Sequence, residues 1–280
     1  MSPLDFSFVI QEPVFDHRID EMRDLLHEMG IDYYIYPKDS RGFDVHKPAL
    51  ISEGPTIVMA SIFVCREFQK RGWYGPGIFF SEERFKFSSY APLIGDHLLN
   101  QDFVMLPFGE VRRRWGSLKA SHPGGIFIRP NSGSKSFSGV PIRPDMFDHE
   151  MNFLRQCIMD HELVCLSEVK PIKGEWRFWI VNDTVITYSY YKRMAGYDIQ
   201  DIPAPDECYE LAWKIAKCDN QPDTAYTLDI CMSEGQPKVV EINAFSTSGV
   251  YLATLPSIVS AIIELYRKEN CDDYIQNGSL

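Results

Sequence analysis

The chain has 280 residues, 45% of them hydrophobic and 24% charged, and a formal net charge of −11. That length suits about two folded domains, and the composition is that of a soluble globular protein with aromatic residues enough for a sizeable core. The acidic balance argues against nucleic acid as the main partner, no apolar run approaches the ~18 residues of a membrane span, and residues 1–6 lack the basic and apolar stretches of a signal peptide.

In chain order, Phe6 to Ile10 reads as a strand. A helical pattern follows from Asp16, with Ile19, Met22, Leu25, Leu26 and Met29 on one face and Gly30 closing it. Ile31 to Tyr36 and Thr56 to Ala60 are further strands, so the opening is βαβ-like and predicts an open α/β sheet. Gly72 to Gly77 is a turn-rich loop, followed by an aromatic-rich segment and a short strand at Phe103 to Leu106. Arg112-Arg113-Arg114, with Lys119 beyond, reads as a solvated basic face or a site for an acidic group. Near Gly116 the chain crosses into a second unit.

In that unit Gly125 to Arg129 is a strand and Asn131 to Gly139 a small polar loop. Phe147, Met151, Leu154 and Ile158 mark the inner face of a helix, and Leu163 to Leu166 is a strand. Two hairpins are expected, one around Asn182-Asp183 and one around Ser233-Glu234-Gly235, with a helix from Tyr209 to Lys217 between them and a last helix near Pro256. The cysteines at 65, 157, 165, 208, 218, 231 and 271 stand singly without a Cys-x-x-Cys pair, which reads as reduced thiols in a cytoplasmic setting. The histidines at 17, 27, 46, 97, 122, 149 and 161 have no metal-ligand spacing.

Three stretches could carry chemistry. Glu241 and Asn243 alternate onto one face of a hairpin strand, and the partner strand can bring Asp229 beside them. Two carboxylates and an amide oxygen are hard donors of the kind Mg²⁺ takes, although an ordinary polar hairpin explains the spacing as well. Phe127 to Gly139 runs from a strand ending in Arg129 into a Gly/Ser loop containing Ser132, Ser134 and Lys135, which could cradle a triphosphate or be a flexible surface loop. Leu166 to Arg177 passes through Ser167, Glu168, Val169 and Lys170 to a charged strand start where Glu175 and Arg177 share a face. The plainer alternative there is an edge-strand salt bridge.

Taken in order, Phe127-Ile128-Arg129-Pro130, the Ser/Lys loop 132–139, Glu175-Trp176-Arg177, and Glu241-Ile242-Asn243 followed by Ser248-Gly249-Val250-Tyr251 resemble the ATP-grasp superfamily over about residues 116–270. More narrowly they are similar to the clade, common in phages and bacteria, in which Arg replaces the first phosphate-binding Lys (the Arg-two-Lys clade). The resemblance implies an α/β protein with a small Rossmann-like domain at 1–115 framing the acceptor site. An ATP-grasp catalytic domain at 116–280 would hold the nucleotide between two α+β subdomains.

It further implies that Arg129 and Lys192 bind phosphates beneath a flap made by 132–139, that Ser167 to Lys170 form the adenine hinge, and that Asp229, Glu241 and Asn243 hold Mg²⁺. Glu175 and Arg177 become ribose or catalytic-face residues, and Ser246, Ser248 and Gly249 border the acceptor. Many members carry an Arg shortly before the first metal carboxylate. Here Ala225-Tyr226-Thr227-Leu228 has none, so either Arg177, with Lys192 as the second catalytic cation, takes that role or the chemistry differs.

The implied activity is a cytoplasmic, ATP-dependent carboxylate–amine ligase forming an amide through an acyl phosphate, acting on small-molecule or peptide substrates. A kinase-type ATP-grasp enzyme and a non-catalytic nucleotide-binding module are the alternatives. Isosteric replacement of Asp229 or Glu241 is expected to remove turnover and leave the fold intact.

Overall fold

The computed structural model describes residues 5–40, 45–190 and 202–277, with side chains as far as Arg267. The elements in order are β1 (Ser7–Gln11), α1 (Glu12–Phe15), α2 (Ile19–Glu28), β2 (Asp32–Tyr36), β3 (Thr56–Met59), α3 (Ile62–Lys70), α4 (Phe87–Ile94), β4 (Val104–Pro107), α5 (Phe108–Arg113) and α6 (Trp115–Ser121). There follow β5 (Ile126–Pro130), β6 (Val140–Ile142), α7 (Phe147–Leu154), β7 (Leu163–Glu168), β8 (Glu175–Val181), β9 (Thr184–Tyr190), α8 (Asp206–Ala216), β10 (Ala225–Ser233), β11 (Gln236–Ala244) and α9 (Leu255–Asn277). The chain is thus of the mixed α/β class. No helix among the described residues is long and apolar enough to cross a membrane.

By spatial contact the chain forms two compact units. Unit 1 comprises Met1–Phe80, Gly174–Ile230 and Asn243–Leu280, and unit 2 comprises Ser81–Lys173 and Cys231–Ile242. The sequence boundary expected between residues 115 and 116 concerns successive modules along the chain, a separate division from this spatial one.

In unit 1, β1 pairs in parallel with both β2 and β3, so the first sheet has the order β2-β1-β3. Its central strand is buried at every position, as expected of a parallel strand covered on both faces. On α2, Met22 and Leu26 are buried, and Ile19, Leu25 and Met29 pack partly against the same core. That core joins Phe6, Phe8 and Ile10 to Trp179 and Val181 of β8 and to Ile258, Ile262 and Leu265 of α9. Each such side chain contributes about 1.5–3 kcal/mol through burial.

A second sheet has the order β11-β10-β8-β9. Strand β8 lies inside it and is buried along its whole length, so the edge-strand alternative for Glu175 and Arg177 is overturned. Both hairpins close as the turn residues predict, since Asn182 and Asp183 have φ 48° and 56°, and Glu234 and Gly235 have φ 51° and 80°. Positive φ at both central residues matches the strand twist in a two-residue loop.

Unit 2 is built on an antiparallel sheet of order β4-β7-β5-β6. Phe147, Met151 and Leu154 of α7, with Ile158 beyond it, fill the space against Ile126, Ile128 and Val164. The basic run ends α5 and is matched locally. Arg113 and Arg114 reach Glu110 at 2.6 and 3.3 Å, and Arg112 reaches Asp148 at 3.5 Å. Exposed pairs of this kind contribute at most about 1 kcal/mol each, and the run is a solvated face.

Candidate functional site

Strand β5 delivers Arg129 to a buried position in unit 2, opposite Cys165 of β7. Its guanidinium donates to the Val240 carbonyl oxygen and to Glu241 Oε2, both at 3.1 Å, and lies 4.6 Å from the centroid of Phe87. Burial disfavours its charged form, but Tyr90 and Glu241 beside it offset this and leave its pKa above the ordinary value. The Tyr90 hydroxyl is itself pushed up by burial, and burial takes the Cys165 thiol to about 12, which removes it as a thiolate nucleophile. The buried Nε of Arg129 finds no acceptor among the described residues.

The following loop brings a second cation to the same carboxylate, with Lys135 Nζ 2.9 Å from Glu241 Oε1. Lys135 takes a left-handed φ of 51°. The Ser132 and Ser134 hydroxyls share a 2.6 Å hydrogen bond, and Lys135 N donates to Ser132 O. Gly133 passes so close to the Glu82 carbonyl oxygen that a Cβ would lie 2.4 Å from it, so only glycine fits.

The loop is anchored at both ends. Asn131 accepts from Phe87 N and Ser88 N, and Phe137 is buried in the core of unit 2. The alternative of a freely flexible surface loop does not fit these contacts, which hold Asn131 and Phe137 in place. Accordingly, amide hydrogen exchange without nucleotide should be fast only at 132–136, and a non-hydrolysable Mg-ATP analogue should slow it there. Unchanged exchange on saturation would remove the flap role.

The four residues expected at the adenine hinge are less uniform. Ser167 is buried opposite Phe127, and Glu168 is exposed opposite Ile126. Val169 is 40% exposed, while Lys170 Nζ is held by Leu99 O at 2.8 Å and Asp102 Oδ1 at 2.5 Å.

In unit 1, Arg177 of β8 forks onto Asp229 of β10, with Nε to Oδ1 at 2.8 Å and Nη2 to Oδ2 at 2.7 Å. Asp229 is fully buried, and its Oδ2 also accepts from Asn243 Nδ2 at 2.9 Å. Arg177 Nη1 reaches the Gly249 carbonyl at 3.4 Å, and its guanidinium lies 5.2 Å from the centroid of Tyr251. Glu175 is buried two residues before it.

Two expected substrate residues have structural tasks. Ser246 Oγ accepts from Phe79 N at 3.0 Å, and Ser248 Oγ donates to Ala244 O and shares a hydrogen bond with Thr227 Oγ1, both at 2.8 Å. Their hydroxyls fix the turn after β11. Gly249 remains partly exposed. Lys192 lies outside the described residues.

Among the described residues no cluster of three or more His, Cys, Asp or Glu side chains forms a metal-binding group. The candidate set instead combines two carboxylates with an amide. Asp229 and Asn243 are in direct contact, and Glu241 is two residues from Asn243 along β11. Carboxylate and amide oxygens are hard donors of the kind that suits Mg²⁺.

Sequence reasoning does not single out Phe87, Tyr90 or Asp102, and it quotes Tyr251 without a role. No short motif marks the first three, because their partners lie 42, 39 and 68 residues away in sequence (from Phe87 and Tyr90 to Arg129, and from Asp102 to Lys170).

Residues 108–262 match the family model described as an ATP-grasp domain, family 3 of the Arg-two-Lys clade. No curated protein matches the chain. Among solved structures, the fold resembles D-cycloserine synthetase DcsG at TM-score 0.61 and 10% identity, covering 94% of this chain and 99% of that one. It resembles the ATP complex of D-alanine–D-alanine ligase from Bacillus anthracis at TM-score 0.57 and 14% identity, with 96% and 99% covered. ATP-grasp ligase PsnB with its minimal precursor gives TM-score 0.53 and 14% identity, with 93% and 98% covered. At these identities the likeness is one of fold.

Proposed function

The chain belongs to the third ATP-grasp domain family of the Arg-two-Lys clade, and from that premise we propose that it is an Mg-ATP-dependent ligase joining a carboxylate to an amine through an acyl phosphate. The observation that carries this reading is Glu241 held by two cations, Arg129 at 3.1 Å and Lys135 at 2.9 Å. Two cations converge there beside the Ser132 and Ser134 hydroxyls, the donor types that a triphosphate takes, and the buried Nε of Arg129 has no acceptor among the described residues.

In this reading Arg129, Lys135 and Lys192 hold phosphate oxygens, with Ser132 and Ser134 shaping the loop over them. Ser167 to Lys170 line the adenine, where the exposed Val169 offers apolar surface, and Glu175 serves the ribose side. Asp229, Glu241 and Asn243 hold Mg²⁺, which when bound neutralises charge on the phosphates. A substrate carboxylate oxygen attacks the γ-phosphorus as its bond to the bridging oxygen of ADP breaks. The amine nitrogen then attacks the acyl carbon, phosphate leaves, and one proton leaves the nitrogen. Arg177, in the place of the cation missing before Asp229, stabilises the oxyanion.

Residues 1–115 form the leading module that frames the acceptor, and residues 116–280 form the catalytic module. An amino acid or peptide supplies at least one partner. Support for this comes from the similar folds, which are named as ligases or a synthetase, one of them with a precursor.

The test is to incubate the protein with Mg-ATP and a pool of amino acids and peptides, following phosphate and product masses. Phosphate release with a product equal to two pool members less water is expected. A stable phosphorylated product without condensation would establish the kinase-type outcome instead, and nucleotide binding without turnover would establish a binding module. Arg129→Ala should weaken ATP binding about 10- to 100-fold and leave adenosine binding within about twofold, because the lost contacts are charge-assisted bonds to phosphate. Equal weakening of both ligands would make Arg129 structural.

A further inference from the structure

Tyr251 has a left-handed φ of 45°, a conformation costly for a bulky residue and kept only when its surroundings enforce it. The enforcement is visible. Arg18 Nη1 donates to the carbonyl oxygens of Tyr251 and Ala253 at 2.7 and 2.8 Å, and Leu252 N donates to Ser189 Oγ at 2.9 Å. Arg18 is itself aimed by a two-point contact with Glu21, at 2.7 and 2.6 Å. On Gly249 a Cβ would come within 3.2 Å of the Tyr251 ring, so the ring packs directly on the backbone whose carbonyl receives Arg177 Nη1.

The outcome of this strained turn is a ring centroid 5.2 Å from the Arg177 guanidinium. Arg177 is 6% exposed and already forked onto Asp229. A desolvated cation beside an aromatic face is held more firmly than one in water.

We propose that Tyr251 is the positioning residue for Arg177, and that Arg18 sets its backbone from outside the site. The ring and the Gly249 carbonyl fix the guanidinium while Asp229 fixes its fork, so that a cation aimed by its surroundings meets the charge that develops during reaction. The role rests on the ligase reading for its kinetic consequence only.

Tyr251→Leu should lower kcat about tenfold and leave KM for ATP within about twofold, since the guanidinium loses alignment rather than nucleotide contact. Tyr251→Phe, which keeps the ring, should stay within about twofold of the parent. Arg18→Gln leaves both side chains intact and should lower kcat in the same direction.

A second readout needs no turnover. The Arg177 Nε–H resonance, assigned by its loss in Arg177→Lys, should move and exchange faster in Tyr251→Leu and Arg18→Gln but not in Tyr251→Phe. An unmoved resonance in folded Tyr251→Leu or Arg18→Gln overturns the positioning role whatever the reaction. Moved resonances in a protein with no ligase activity would leave the role standing and reject the ligase reading instead.

Discussion

Asp229→Asn should lower the stability of the folded protein by about 3–5 kcal/mol, the usual cost of breaking one partner out of a buried ion pair, and should also abolish turnover. The carboxylate is fully buried, and each oxygen receives an N–H from Arg177, with Asn243 adding another. An amide puts two N–H donors where one oxygen accepted, so donor faces donor and the Arg177 charge loses its buried counterion. Against a total stability of roughly 5–15 kcal/mol, a loss of that size should show as a large drop in the urea midpoint. A midpoint within error of the parent would mean that the pair in the structure contributes little. The sequence-only expectation of an intact fold is incomplete at this position, because spacing along a hairpin does not reveal an arginine from a neighbouring strand.

Glu241→Gln should separate the two effects. Of its cations Lys135 is solvated, 38% exposed at the side chain, and Arg129, buried at 11%, keeps the Val240 carbonyl. The glutamine oxygen still accepts from one of them, so the stability loss should be about 1–2 kcal/mol. Turnover, by contrast, should fall by on the order of 10²–10³, the range for removing one preorganised electrostatic contact from a reaction site. The check is a denaturation curve alongside kcat/KM for ATP. Parental activity in folded Glu241→Gln would remove this residue from the metal set.

Much of the architecture is legible in the sequence because it is written in local rules. The 3.6-residue period at Phe147, Met151 and Leu154, the positive-φ turns at Asn182-Asp183 and Glu234-Gly235, and the βαβ opening all depend on near neighbours. The segment between Gly77 and Phe103 is less readable. Its helix α4 carries Pro92 and a mostly apolar sequence without a clear polar face, so periodicity has little contrast to work on.

At the site, the residue types along β5, β8, β10 and β11 are readable, and so is alternation within a strand. What alternation cannot supply is sheet order. Only with β8 placed beside β10 does Arg177 meet Asp229, and only with the turn after β11 folded do Ser246 and Ser248 commit their hydroxyls inward. The anchoring of the loop at 131–139 is hidden for a related reason, since Phe137 looks like a lone apolar residue in a polar tract until the core of unit 2 is assembled around it.

The most direct measurement on the central claim follows oxygen. A carboxylate substrate that supports phosphate release is prepared with ¹⁸O in both carboxylate positions and turned over with Mg-ATP and its amine partner. If the carboxylate is activated as an acyl phosphate, one ¹⁸O must leave with the phosphate, and the amide product must keep the other. Released phosphate carrying one labelled oxygen per turnover is the predicted result. Unlabelled phosphate alongside an amide that has formed, or label retained in a stable phosphorylated product, would contradict the account.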